Sequence, residues 1–209
     1  MRGIGVALAV ALLAACGERP GGGADDVATQ TATDAITAEK AAAIGESAAG
    51  ALASALMTRV QTAMQEQGPA YAITFCSEEA LPLTEMVEDS LGGGLELKRT
   101  STRIRNPKNA PDELEKEALS HFAAELEAGR PLPPHHLQRT DAGWRYYKPI
   151  LVAELCTRCH GPREALDPSV QQVLAERYPD DQATGYAPGD FRGVIRVSIP
   201  STRAGDDGR

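Results

Sequence analysis

Cys156-Thr157-Arg158-Cys159-His160 concentrates the reactive side chains of this sequence. Two thiols two residues apart can each add to one vinyl group of the same haem. The histidine directly after the second thiol then lies under the iron and supplies an axial nitrogen. The spacing predicts one covalently held haem c on Cys156, Cys159 and His160. Other chemistries share a Cys-x-x-Cys: a dithiol redox switch, half of a zinc site, or an ordinary disulfide. Zinc would need two further ligands, and the sequence offers neither a second close cysteine pair nor a His-x(3–5)-His spacing.

The N-terminus bears on the compartment. Arg2 supplies a positive start, and Ile4 to Leu13 is an apolar run of about ten residues, long enough for an export signal and too short to span a bilayer. Leu13-Ala14-Ala15-Cys16 resembles the lipobox of bacterial lipoproteins, in which the signal is cut before the cysteine and the cysteine carries lipid. Residues 1–15 are therefore expected to be a signal peptide, and Cys16 the lipidation site. The alternative is cleavage nearby with Cys16 unmodified. With no Asp directly after Cys16, the resemblance implies an outer-membrane destination and a periplasmic domain.

Of four cysteines, Cys16 goes to lipid and Cys156 with Cys159 to haem, which leaves Cys76 alone. An unpaired thiol in an oxidising compartment is prone to oxidation unless it is buried or bound to metal. A haem iron with a vacant sixth position would account for it.

The mature chain suffices for one domain with a sizeable core. A net charge of −8 argues against nucleic acid and against electrostatic adhesion to anionic lipid, so membrane attachment would come through the lipid on Cys16. Aromatic content is 4%, so a bound haem would supply much of the flat apolar surface of the core.

The elements that must position these groups follow from pattern. Residues 16–34 read as a flexible Gly-, Ala- and Asp-rich tether. Ile44, Ala48, Leu52, Leu56, Val60 and Met64 have helical spacing, predicting a long helix from Ile36 to Gln67 that ends at Gly68-Pro69. A second helix is expected from Ala70 to Ser90, bringing Cys76 with it, and Gly92-Gly93-Gly94 ends it. Leu95–Thr102, Trp144–Val152 and Gly193–Pro200 read as strands, the last with Val194, Arg196 and Ser198 opposed to Ile195, Val197 and Ile199. Pro111-Asp112 opens a helix, Pro131–His136 is irregular, and Gln171–Tyr178 is a short helix. Residues 201–209 read as a disordered tail.

Arg99, Arg103 and Arg105 share one parity, so a continuous strand would point all three to one face, where guanidinium forks match haem propionates. The competing reading is a solvated strand edge. His121, His135 and His136 are alternative sixth ligands, and bis-histidine ligation would make an ordinary electron-transfer cytochrome. Met57 and Met64 read as core fillers that could also ligate iron. Asn106 and Asn109 read as loop-shaping residues.

Several segments in order, from about Ala35 to Pro200, resemble the exported single-haem c-type family with a PAS-like fold. They are Phe75-Cys76-Ser77; the run from Arg99 through Arg105-Asn106-Pro107 to Pro111-Asp112; Lys148-Pro149-Ile150 before Cys156; and Tyr178 through Gly185 and Gly189 to Gly193. The family occurs alone and as the extracytoplasmic input module of bacterial signalling proteins. The resemblance implies an α+β fold with a PAS-like central antiparallel sheet and a helical N-terminal extension, spanning residues 35–200. It also implies iron ligation by His160 and Cys76. A thiolate opposite an imidazole favours ferric iron and a low potential. The expectation is a lipid-anchored redox or gas sensor with a separate redox or signalling protein as partner, and no enzymatic turnover. The alternatives are a periplasmic electron-transfer monohaem cytochrome and a peroxidase-like cytochrome.

Overall fold

The computed structural model describes residues 36–201. The expected signal segment 1–15, Cys16, the tether up to residue 35 and the tail from residue 202 lie outside the described residues.

Helix α1 (Ala38–Glu78) starts at Thr37, whose side chain accepts from the Lys40 amide. It bends at Gly68, where φ is 84° and ψ 178°, a region open essentially to glycine alone. Pro69 follows and has no amide to donate. The break therefore falls at the expected dipeptide, but the chain resumes helix at once and carries Cys76 on the segment between Gly68 and Glu79. Helix α2 (Ala80–Leu91) then runs to the positive-φ glycines 92–94.

Four antiparallel strands follow: β1 (Glu96–Thr100), β2 (His136–Thr140), β3 (Gly143–Leu151) and β4 (Phe191–Pro200), in the order β1-β4-β3-β2. The fold is α+β, as expected. Pro149 lies beyond Tyr147, the last β3 residue that β2 pairs, so β3 has only β4 as a neighbour there. Strand β2 was not anticipated. His136-Leu137-Gln138-Arg139-Thr140 lacks a clean alternation because it is an edge strand with four of its five residues half-buried.

The alternation of β4 sorts the two layers. Ile195, Val197 and Ile199 face α1 and pack with Leu52, Leu56, Leu97 and Tyr146. Val194 and Tyr147 face the opposite side and pack with Ala118, Leu119 and Phe122 of α3 (Glu113–Glu127). A capping box starts α3: the Glu115 amide donates to Asp112 Oδ1 at 2.8 Å, and the Asp112 amide donates to Glu115 Oε2 at 2.9 Å. Helices α4 (Thr157–His160) and α5 (Pro168–Arg177) complete the chain, with α5 packing Val170, Leu174 and the following Tyr178 on Ile73.

The seating of α1 depends on one residue without a side chain. A Cβ at Gly45 would stand 2.1 Å from the Tyr146 ring and 2.5 Å from its Cβ. Tyr146 is fully buried, and its hydroxyl donates to the Glu46 carboxylate, to which Lys148 Nζ also donates at 2.6 Å. Gly45→Ala gains about 1 kcal/mol of helix propensity but, with the new Cβ 2.1 Å from the ring, incurs an overpacking cost at the upper end of the usual range, about 2–3 kcal/mol. A net fall in Tm of roughly 2–8 °C is expected in a thermal melt. An unchanged Tm would mean that α1 does not rest on Tyr146.

Candidate functional site

Between the end of the sheet and α1 lies a cavity of about 300 Å³. Leu56, Met57, Val60 and Met64 of α1, with Ile150, Leu151 and Leu155, make its apolar wall. Cys76, Cys156, Cys159 and His160 all line it, as do Arg99, Arg103, Arg105, Arg192 and Tyr178. No Asp or Glu is among the lining residues.

One helical turn presents three of these groups. A 3-10 turn at Glu154–Cys156 runs into α4, and Thr157 Oγ1 donates to the Glu154 carbonyl at 2.7 Å. Cys159 and His160 stand three and four residues after Cys156, hence on one face. The loop before β4 is stitched beneath them: the Tyr186 amide donates to the His160 carbonyl at 2.9 Å and the Gly185 amide to the Gly161 carbonyl at 2.7 Å.

His160 Nδ1 lies 2.7 Å from the Ala183 carbonyl. A carbonyl only accepts, so Nδ1 carries the proton and Nε2 keeps its lone pair. Burial, reinforced by Arg105 and Arg192, holds the imidazole well below the usual histidine range, the Ala183 bond opposing only in part. At neutral pH His160 is thus a neutral imidazole with Nε2 free, the form that binds a metal. Tyr186 stands edge-on to it with ring centroids 6.3 Å apart.

Cys76, Cys156 and Cys159 are free thiols. Cys76 packs with Ala63, Ala72 and Phe75, while Cys159 lies among Ile73, Val170 and Leu174. Burial raises the Cys76 thiol above its ordinary value, against the pull of Arg99 and Arg105. Burial likewise pushes Cys159 up to about 11. Among the described residues, no three of His, Cys, Asp and Glu come together closely enough to hold a bare metal ion.

The strand expected to align the three arginines ends at Thr100. Ser101 turns the chain away, its Oγ donating to the Arg192 carbonyl at 2.7 Å and accepting from the Arg103 amide at 3.1 Å. All three still reach the cavity, by different routes. Arg99 projects from β1 on the α1 side, opposite Ile195. Arg103 lies 4.0 Å from the centre of the Tyr186 ring and donates Nε to the Gln182 carbonyl at 3.1 Å. Arg105 pairs with the fully buried Asp181 at 3.0 Å. Arg192, absent from the expected set, joins them and donates to the Arg103 carbonyl at 3.1 Å. Its one sequence signal is its place just before Gly193 in the last of the resembling segments. Among the described residues, no carboxylate pairs with Arg99, Arg103 or Arg192. Burial lowers the pKa of both Arg99 and Arg192, the mark of poorly solvated positive charge that an anion would relieve.

The alternative ligands fall elsewhere. His121 stacks on His136 at 4.3 Å on the α3 side, and His135 stacks on Tyr146; none of the three lines the cavity. Met57 and Met64 do line it, as part of the apolar wall. Asn106 shapes its loop as expected, its Oδ1 accepting from the Lys108 amide at 3.0 Å.

A family model described as Tll0287-like matches residues 30–200. The crystal structure of the cyanobacterial heme-protein Tll0287 has a similar fold, with a TM-score of 0.60 at 22% identity over 81% of this chain and 99% of that one. No curated protein matches the chain.

Proposed function

The chain belongs to the Tll0287-like family, and from that membership we propose that it is an exported haem c protein, lipid-anchored through Cys16, that responds to redox state or to a diatomic gas. One observation carries the reading: three thiols, a neutral imidazole with Nε2 free and three guanidiniums without carboxylate partners line one largely apolar cavity. This fits a flat apolar group that bears two carboxylates and a metal. That no three potential ligands converge on a bare ion among the described residues favours ligands spaced by such a group.

Cys156 and Cys159 hold the haem, each thiol adding its sulfur and hydrogen across one vinyl group. His160 Nε2 and the Cys76 sulfur would be the protein groups that hold its iron. Arg99, Arg103 and Arg192 would pair with its propionates, and Arg105 could add Nη1, since its Nε and Nη2 are engaged within the protein. When bound, haem supplies an iron centre that changes charge by one electron and, when reduced, can take a diatomic ligand. Cys76 holds a thiolate toward the higher charge. Burial would favour the neutral thiol of Cys76 wherever no positive charge stands against it. With His160 and Cys76 both available to hold the iron, sensing would fit better than turnover, and the output would pass to a separate partner protein. A second reading, a periplasmic electron carrier, is favoured by the open side of the cavity, where Met57 and Leu151 are 42% and 50% exposed.

Cys76→Ala is expected to change the ferric absorption spectrum while the haem remains attached. An unchanged spectrum would remove Cys76 from the iron. Carbon monoxide binding to the ferrous protein separates the two readings: a sensor takes it up, and a six-coordinate carrier does not.

A further inference from the structure

Ala183 offers its carbonyl to two donors at once, His160 Nδ1 at 2.7 Å and Arg105 Nη2 at 3.2 Å. Arg105 does more than share that oxygen. Its Nη2 also donates to the Cys159 carbonyl at 2.6 Å and to Asp181 Oδ2 at 3.0 Å, and its Nε donates to Asp181 Oδ1 at 3.1 Å. Asp181 Oδ1 in turn accepts from the Ala183 amide at 2.8 Å. The Gln182 amide between them donates to the Ile104 carbonyl at 2.9 Å, next to Arg105 in sequence. One guanidinium thus ties together the backbone at Cys159, the side chain of Asp181 and the carbonyl that meets His160. The pair is nearly dry, with Asp181 at 0% and Arg105 at 10% side-chain exposure, so these bonds do not compete with water.

We infer that Arg105 and Asp181 are positioning residues for His160: the pair clamps the Asp181–Ala183 backbone so that the Ala183 carbonyl holds the proton on Nδ1 and turns Nε2 into the cavity. A free imidazole exchanges its proton between the two nitrogens and rotates; a ring held by a fixed carbonyl does neither. The geometry explains why Arg105 and Asp181, far apart in sequence, must fold together before the histidine is useful. That Nε2 meets iron rests on the haem reading above, whereas the clamp on the ring does not.

The test follows the ring nitrogens of the full chain as isolated, labelled with ¹⁵N-histidine, in the reduced state if it carries haem. His121, His135 and His136 serve as internal references. In the native chain His160 is expected to show a protonated Nδ1 whose hydrogen exchanges slowly. In Arg105→Lys, which keeps the charge and loses the fork, and in Asp181→Asn, exchange at that hydrogen should quicken at least about tenfold, the equivalent of losing one charge-assisted hydrogen bond, and in a chain without porphyrin the tautomers should also mix. Arg163→Gln is the control. Arg163 comes within 4.0 Å of Asp181 but is 47% exposed, and its loss should leave exchange within about twofold. A proton on Nε2 in the native chain, unaltered exchange in either folded variant, or an equal effect from Arg163→Gln would each overturn the proposal. If neither variant folds, exchange at the Nδ1 hydrogen of the native chain decides: exchange much slower than at His121, His135 and His136 supports the clamp, and exchange as fast as theirs overturns it. Because the signal is read with or without porphyrin, a chain lacking haem would contradict the haem reading and leave this result standing on its own.

Discussion

Exchanging both Cys156 and Cys159 for serine is expected to yield a chain that gives up all of its porphyrin on denaturation, while either single exchange keeps one thioether and retains it. The difference is chemical. A thiol adds across a vinyl group, and a serine hydroxyl under the same conditions does not. The two positions should also differ in their effect on folding. Cys159 sits among Ile73, Leu166, Val170 and Leu174, so serine there places a hydroxyl in an apolar cluster at a cost of about 1–3 kcal/mol. Among the described residues the native sulfur has the Pro69 carbonyl as its hydrogen-bond partner, at 3.9 Å. Cys156 packs at the edge of Val152, Ala183 and Tyr186, and its exchange should be milder. Haem staining of a denaturing gel reads the first effect and thermal unfolding the second. Retention of stain in the double variant would mean that the attachment is elsewhere or is not covalent.

The largest stability effect is expected at a residue remote from the cavity. Glu115 is fully buried under the α3 face of the sheet. Its Oε2 accepts from Lys98 Nζ at 2.6 Å, and its Oε1 lies 3.1 Å from Arg196 Nε. The latter is an ion pair without hydrogen-bond alignment, since neither atom has a hydrogen-bond partner. Glu115→Gln keeps the volume and removes the charge, leaving two cations facing an amide. Lys98 can turn to the Ala110 carbonyl, which it already reaches at 2.7 Å, and to solvent. Arg196, 8% exposed in the middle of β4, keeps only Nη1 bonds to Ser198 Oγ and, at 3.4 Å, to the largely exposed Glu96 carboxylate, and nothing then faces its Nε. Breaking a buried pair in this way costs about 3–5 kcal/mol, a large part of the 5–15 kcal/mol that holds a domain of this size. Denaturant unfolding should register that loss. Adding Arg196→Met to Glu115→Gln should recover part of it, because the poorly compensated charge is then gone. A loss below about 1 kcal/mol would show that water reaches the pair.

The sequence disclosed some of this better than the rest. Cys156, Cys159 and His160 were legible because covalent chemistry fixes their spacing within one turn. Cys76 emerged from counting thiols, and the structure brings it to the same cavity. The Gly68–Pro69 break was legible because both residues act through the backbone alone. The arginines were harder. Parity predicted one face for Arg99, Arg103 and Arg105, but two hydrogen bonds at Ser101 end the strand, and the three side chains arrive by separate routes. Arg105 reads like Arg99 in sequence, yet it serves Asp181 and the Ala183 carbonyl, a pairing across more than seventy positions that no local pattern encodes. Arg192 was missed as a cavity group for the same reason. Strand β2 escaped because an edge strand half-buried on both faces shows no alternation.

The measurement closest to the central claim is the intact mass of the purified, denatured chain, taken beside its absorption spectrum. The account predicts a coloured polypeptide heavier than the mature chain and its lipid by one haem, with the added mass on the peptide that contains Cys156 and Cys159. A colourless polypeptide whose mass matches the chain and lipid alone would contradict it.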